Sequence, residues 1–285
     1  MGPTRSGDPV DDDVRVRHWR RALGGLVVIV SLTAAVVTGC SDPSPPPPPS
    51  SLRVMTWNVQ TGAHDPDEWA PVVADLRPDV LGLQEVCTRD AEELAHLLRR
   101  DHGLDYQVAR GPIRPPTSAE AYAPVNAALG PACDTGPNDV LYGVAVLSRL
   151  PMSPPRIVTF PPDRRDEQRG YLSVDVTTPS GPVAVYNAHI GLDGVQSDQL
   201  RRLAEAATEP GPAVVLGDLN VGPTRPELAP LQQGFTEVDP AGQYATSDHG
   251  KIDYIFLRDL VPLGPPQTPE VTASDHRPLV ADVRR

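Results

Sequence analysis

Apolar residues recur along this chain with two periods, one near two and one near 3.6, and the alternation between them predicts its elements. "LRVMTWNV" (Leu52–Val59) alternates as a strand does. "DEWAPVVADL" (Asp67–Leu76) gathers Trp69, Val72, Val73 and Leu76 on one helical side, and Pro78 stops it. "DVLGLQEV" (Asp79–Val86) is a continuous apolar run of strand length. "TRDAEELAHLLRRD" (Thr88–Asp101) is an amphipathic helix with Leu94, Leu97 and Leu98 inward. The stretch from Gly111 to Asp139 shows no period and is expected to be a long loop, and so is Ser153–Gln168. Strands resume at "YGVAVLSR" (Tyr142–Arg149). "YLSVDVTT" and "VAVYNAHI" form a hairpin through "PSGP", and a helix follows over Ser197–Ala207. "AVVLGDLN", "IDYIFL" (Ile252–Leu257) and "PLVADV" (Pro278–Val283) complete the strands. Strands outnumber helices, and the order predicts one domain over 52–285 with two sheets and helices outside them.

Residues 1–40 do not fit that domain. Arg15, Arg17, His18, Arg20 and Arg21 precede an apolar run from Leu23 to Val37, and "VTGC" ends at Cys40. A positive segment, a short apolar segment and small residues describe an export signal. The run is shorter than the ~20 residues of a spanning helix. Small residues directly before a cysteine resemble the lipobox of bacterial lipoproteins, which implies lipidation of Cys40. An uncleaved N-terminal anchor is the other reading. Both place the folded part outside the cytoplasm, on a membrane surface or beyond it. "SDPSPPPPPSS" (residues 41–51) is then a polyproline spacer. In an exported chain the two remaining cysteines, Cys87 and Cys133, are expected to pair. Two buried free thiols are the alternative.

The net charge of −12, with Lys251 the only lysine, argues against avid binding to nucleic acid through phosphate neutralisation. It does suit divalent cations, which clustered carboxylates hold. The polar residues sit where such a cluster would form. Strand after strand ends in a carboxylate, amide or imidazole: Asn58, Glu85, His189, then Asp218 and Asn220. Asp253 opens one strand, and Asp275 and His276 precede another. Strands of one sheet can bring distant residues to a common rim. Acids gathered there are costly unless cations or phosphates meet them. Hard oxygen donors select Mg²⁺, Mn²⁺ or Ca²⁺ over zinc. The tripeptide Ser-Asp-His occurs twice, at Ser247 and Ser274, and composition does not choose between the copies.

The ordered pieces "TWNV", "LQEV", "YGVAVLSR", "YNAHIG", "GDLN", "IDYIF" and "SDHRPLV" resemble the endonuclease/exonuclease/phosphatase superfamily, the deoxyribonuclease I-like group, from Arg53 to Arg284. The resemblance implies a four-layer α/β/β/α sandwich of two mixed sheets with the site at one edge. It implies a metal site at Asn58, Glu85 and Asp275, with Glu85 the principal ligand. Asp218 and Asn220 would position water and phosphate, Asp253 would orient His276, and His189 and Arg169 would contact the phosphate. It also selects His276 over His249, because Arg277-Pro278 and a strand follow it. One departure is visible: where the nucleases carry a phosphate-contacting tyrosine, Leu141 stands, with Tyr142 beside it. The expected activity is metal-dependent hydrolysis of a phosphoester by a monomeric enzyme, first as a nuclease or phosphodiesterase. A phosphodiesterase or phosphatase of phospholipid or inositol phosphate headgroups is the alternative, and a surface binding module without catalysis is a third reading.

Overall fold

A computed structural model of the chain describes residues 51–113, 133, 142–161, 168–192 and 194–285. The export segment with Cys40, the spacer up to Ser50, Leu141 and most of the expected 111–139 loop lie outside the described residues.

The described residues form two six-stranded sheets. The first holds β1 (Ser51–Asn58), β2 (Val80–Cys87), β3 (Gln107–Pro112), β4 (Tyr142–Ser148), β11 (Val261–Pro262) and β12 (Leu279–Arg284), in the order β11-β12-β1-β2-β4-β3. The second holds β5 (Arg156–Thr159), β6 (Gly170–Thr178), β7 (Gly181–His189), β8 (Ala213–Asp218), β9 (Thr236–Glu237) and β10 (Asp253–Arg258), in the order β5-β6-β7-β8-β10-β9. Each sheet has a single parallel pair, β1 with β2 and β7 with β8, and every other pairing is antiparallel. Each parallel pair is joined by a helix, as parallel crossovers require: α1 (Pro66–Leu76) and α3 (Gln196–Ala206). The other helices are α2 (Thr88–His102) and the single turn α4 (Ala229–Gln232).

Three separate apolar clusters define four layers. Val54, Val80, Val146, Leu172, Val185, Val214, Leu216, Ile255 and Leu279 fill the space between the sheets. Met55, Trp57, Leu81 and Leu83, one residue out of phase, meet Trp69, Val73, Leu94 and Leu98 of α1 and α2. Tyr186, Ala188, Val215, Tyr254 and Phe256 meet Leu200, Leu203 and Leu231 of α3 and α4. Period two in the strands thus assigns alternate residues to the inner and outer layers. This is the expected α/β/β/α sandwich. Helix α1 starts with a capping box between Asp65 and Glu68 and stops at the left-handed Arg77 before Pro78; α2 stops at Gly103.

Two strands lie in segments read as loops. Strand β5 is exposed at every position, so no alternation marks it. At the end of β3, Gly111 and Pro112 belong to an edge strand, where proline is tolerated. The sheets approach closely at Gly82, where a Cβ would sit 2.1 Å from Leu216 Cδ1. Beside it a buried amide bridge joins them. Gln84 Nε2 donates to Asn187 Oδ1 at 2.6 Å, and Asn187 Nδ2 donates to the carbonyls of Leu83 and Ala145, each at 2.8 Å. Cys87 and Cys133 form a disulfide with Cα atoms 5.4 Å apart. Arg53 and Asp282, 229 positions apart, close the β1–β12 pair with two bonds of 2.8 Å.

Candidate active site

The polar strand ends meet at one edge of the sandwich, where the parallel pairs end and their antiparallel partners begin. In the second sheet one row crosses four strands in register: Gly170, His189, Asp218 and Asp253. Gly217 makes that row possible. Its φ is +142°, and a Cβ there would stand 1.9 Å from the Ala188 carbonyl oxygen. In the first sheet Asn58 ends β1. Glu85 sits where the β2–β4 register shifts, in a left-handed conformation with φ +51°. A bulge of this kind re-aims a side chain, and the strain of a left-handed non-glycine residue collects at functional sites.

Asp218 joins the two sheets. Its Oδ2 accepts from Asn58 Nδ2 at 3.1 Å and lies 3.3 Å from His189 Nε2 and 3.9 Å from His276 Nε2. Its Oδ1 accepts from the Asn220 amide N–H at 3.0 Å. Asn220, also left-handed at φ +52°, donates from Nδ2 to the Ile190 carbonyl at 2.9 Å. Arg169 Nη1 contacts both ring nitrogens of His189 and lies 3.9 Å from Glu85 Oε1, which is itself 3.8 Å from His189 Nε2.

His276 is seated from three sides. Asp253 Oδ2 lies 2.9 Å from its Nδ1. Its carbonyl accepts from Trp57 Nε1 at 2.9 Å, and its N–H donates to Ser274 Oγ at 3.1 Å. Thr246 Oγ1 in turn accepts the Asp253 N–H at 3.1 Å. The other Ser-Asp-His copy forms an exposed turn closed between Ser247 and Gly250, and Ser247 bridges to His276. Asp248 and His249 at its tip are exposed.

These contacts set the charges. Burial pushes Asp218 up, but the His189 bond, the charges of His189 and His276 and the Asn58 amide outweigh it and hold the carboxyl below its usual range. Burial, and then the charge of Asp218, raise Asp253. Burial pulls His276 down, yet the Asp253 bond and the charges of Asp253, Asp218 and Asp275 drive it up to about 10. Asp218, Asp253 and His276 present ligand atoms within 4.8 Å of one another. Asp253 Oδ1, fully buried, has no hydrogen-bond partner among the described residues.

All nine residues expected at the site lie at this edge. Asp275 is the one exposed residue among them. Gln60, Thr246 and Ser274 also touch the site residues, and no apolar pattern marks them. Their signal is proximity: each stands one to seven positions from a site residue in a stretch without periodicity. Tyr142 opens β4 opposite Cys87.

A family model for the endonuclease/exonuclease/phosphatase family matches residues 55–276. No match was found among curated proteins. Solved structures match across most of the domain. An endonuclease/exonuclease/phosphatase from Beutenbergia cavernae DSM 12333 is 24% identical, with a TM-score of 0.62 over 82% of this chain and 72% of that one. D. rerio TDP2 complexed with single strand DNA product is 18% identical, with a TM-score of 0.61 over 83% of this chain and 100% of that one. A family protein from Leptotrichia buccalis C-1013-b is 16% identical, with a TM-score of 0.61 over 82% and 100%. At these identities the structures establish a shared fold, while the family model spans the site from β1 to His276. On that span of matched sequence, the chain belongs to the endonuclease/exonuclease/phosphatase family and is a phosphoester hydrolase.

Proposed function

We propose that the chain hydrolyses phosphodiester bonds of nucleic acid, outside the cytoplasm, by in-line attack of water with the help of a divalent ion. The observation that carries this reading is Asp218, buried and shared between Asn58 and His276 on the first-sheet side and His189 on its own sheet. Carboxylate, amide and imidazoles around one point are what water attack on a charged ester needs.

Enzymes of this family use divalent metals, and the donors here fit one. Glu85 and Asp275 on the rim, and the buried Asn58 amide oxygen behind them, are hard oxygen donors. Asp253 Oδ1, without a hydrogen-bond partner among the described residues, leaves one acceptor open deeper in the site. Mg²⁺ or Mn²⁺ held by Glu85, Asn58 and Asp275, with Ca²⁺ as a weaker candidate, would neutralise phosphate charge and stabilise the leaving oxygen. The chain's own groups do the rest. Asp218, fixed by the Asn220 amide, orients the water and takes its proton. Asp253 holds Nδ1 of His276, which turns Nε2 toward Asp218 and the phosphate. His189, Asn220 and Arg169 donate to oxygens that gain charge in the transition state.

Nucleic acid as substrate is supported by the likeness to TDP2, solved with a single strand DNA product. Export is supported by the segment ending at Cys40 and by the Cys87–Cys133 disulfide, which suits an oxidising compartment. Lipidation of Cys40 would hold the enzyme on the membrane through the Pro-rich spacer.

The test is a substrate panel: plasmid DNA, single-stranded DNA, RNA, sphingomyelin, inositol phosphates and bis-nitrophenyl phosphate, each with Mg²⁺ or with EDTA. We expect cleavage of nucleic acid that EDTA abolishes and Mg²⁺ or Mn²⁺ restores. Undiminished hydrolysis in EDTA would remove the metal from the mechanism. Cleavage of the headgroup esters alone would move the substrate to lipids or inositol phosphates.

A further inference from the structure

Three residues read as facing the ion come from three distant segments: Asn58 after β1, Glu85 in the β2 bulge and Asp275 before β12. Two adjacent residues, Gln60 and Thr61, touch all three. The Gln60 N–H donates to Asn58 Oδ1 at 3.2 Å. Gln60 Nε2 donates to Asp275 Oδ2 at 2.9 Å. The Thr61 N–H donates to the Glu85 carbonyl at 3.0 Å. Gln60 itself is left-handed, with φ +48°, a conformation disfavoured for a side chain of its length.

Each bond has a distinct consequence. Asn58 is oriented by two partners, Gln60 at its oxygen and Asp218 at its nitrogen. The Gln60 N–H therefore settles which way that amide faces and leaves one oxygen lone pair free. Asp275 is exposed, on a loop, and its only other side-chain contact among the described residues is Ser274 Oγ at 3.5 Å. Without the Gln60 amide that carboxylate would rotate freely, and ordering it on ion binding would cost entropy. The Gln60 amide N–H₂ donates to that carboxylate. Being neutral, it does so without repelling a cation.

We infer that Gln60 is a positioning residue that pre-orders Asn58 and Asp275 for a divalent ion, while its neighbour Thr61 anchors the Glu85 bulge. This rests on the proposal that Asn58, Glu85 and Asp275 face the ion. Groups that orient metal ligands through hydrogen bonds typically change affinity by about 10–100-fold when removed. The exposed Gln60–Asp275 bond belongs at the lower end of that range.

The experiment is calorimetric titration of Mn²⁺ into the full chain after EDTA stripping, with melting temperature and the Mn²⁺ dependence of turnover measured alongside. Gln60→Met should weaken Mn²⁺ binding roughly 10-fold. The ion-free melting temperature should stay near that of the wild type, and saturating Mn²⁺ should restore turnover. In an Asp275→Ala background the same substitution should change affinity by less than about twofold, because the partner is already gone. Wild-type affinity in Gln60→Met, an equal loss in both backgrounds, or turnover that saturating Mn²⁺ does not restore would each overturn the inference. If Gln60→Met does not fold, Gln60→Glu decides. It keeps the length and loses the donor, so an affinity equal to that of the wild type would overturn the inference there too. A wild-type chain that binds no Mn²⁺ would instead end the ion-site reading on which this rests.

Discussion

Asp253→Asn isolates what a buried carboxylate does for His276. The two groups are 2.9 Å apart and both buried, and the second carboxylate oxygen has no partner among the described residues. In the native chain burial pulls the imidazole down, but Asp253, Asp218 and Asp275 carry it from 6.5 up to about 10. At about 1.4 kcal/mol per pKa unit, that is on the order of 5 kcal/mol in favour of the charged ring. The asparagine keeps the shape and removes the two largest causes of the rise, so the ring should titrate lower, with its tautomer no longer fixed. Loss of the charged ring's hold on the phosphate should cost about 10²–10³ in rate, as for one donor to developing charge. The assays are an NMR titration of the ring Cε1–H in the ion-free chain and turnover of bis-nitrophenyl phosphate with Mg²⁺. Stability gives an independent check. The folded-state value lies above the unfolded one, so the contribution of His276 is complete below about 6.5 and is lost as the pH rises through about 10. The native melting temperature should fall across that window, and in Asp253→Asn the fall should flatten. A His276 titration within one unit of native, or a rate within about threefold, would refute the reasoning.

His276→Ala should lower turnover by about two orders of magnitude or more, whereas His249→Ala, on the exposed turn, should stay within about threefold; the reverse ranking would reassign the catalytic copy of Ser-Asp-His. Replacing Cys133 by serine opens a link spanning 46 positions and should cost about 4 kcal/mol in urea unfolding by the chain-entropy account. Gly217→Ala drives a methyl into the Ala188 carbonyl, 1.9 Å away, at a φ of +142°. We expect a loss of about 3 kcal/mol or more in thermal unfolding, together with a drop in turnover as His189 and Asp218 separate.

The strands that carry the site were legible because their apolar runs stop abruptly at Asn58, Glu85, His189 and Asp218, and a polar residue closing a buried run stands out. The register of His189, Asp218 and Asp253 across three neighbouring strands was not, since nothing local to those segments encodes their pairing. The left-handed turn at Glu85 arises from a bulge against β4, a cross-strand event that period-two patterning does not record. Strand β5 escaped for the opposite reason: fully exposed, it has no buried face to alternate with. Gln84 and Asn187 bridge the sheets because each satisfies the other in the core, a pairing that no local pattern in either strand records. Gln60 matters through its hydrogen bonds, and glutamine in an aperiodic stretch gives no sign of that.

The β1–β12 pairing, clasped by Arg53 and Asp282 across 229 positions, bears on the timing of assembly. β1 and its partner β2 leave the ribosome long before β12 exists, and His276 arrives only just ahead of β12. Contacts so distant in sequence form late. A half-made chain therefore holds Asn58 and Glu85 but neither Asp253 nor His276, so that buried pair forms only when the last strand is in place.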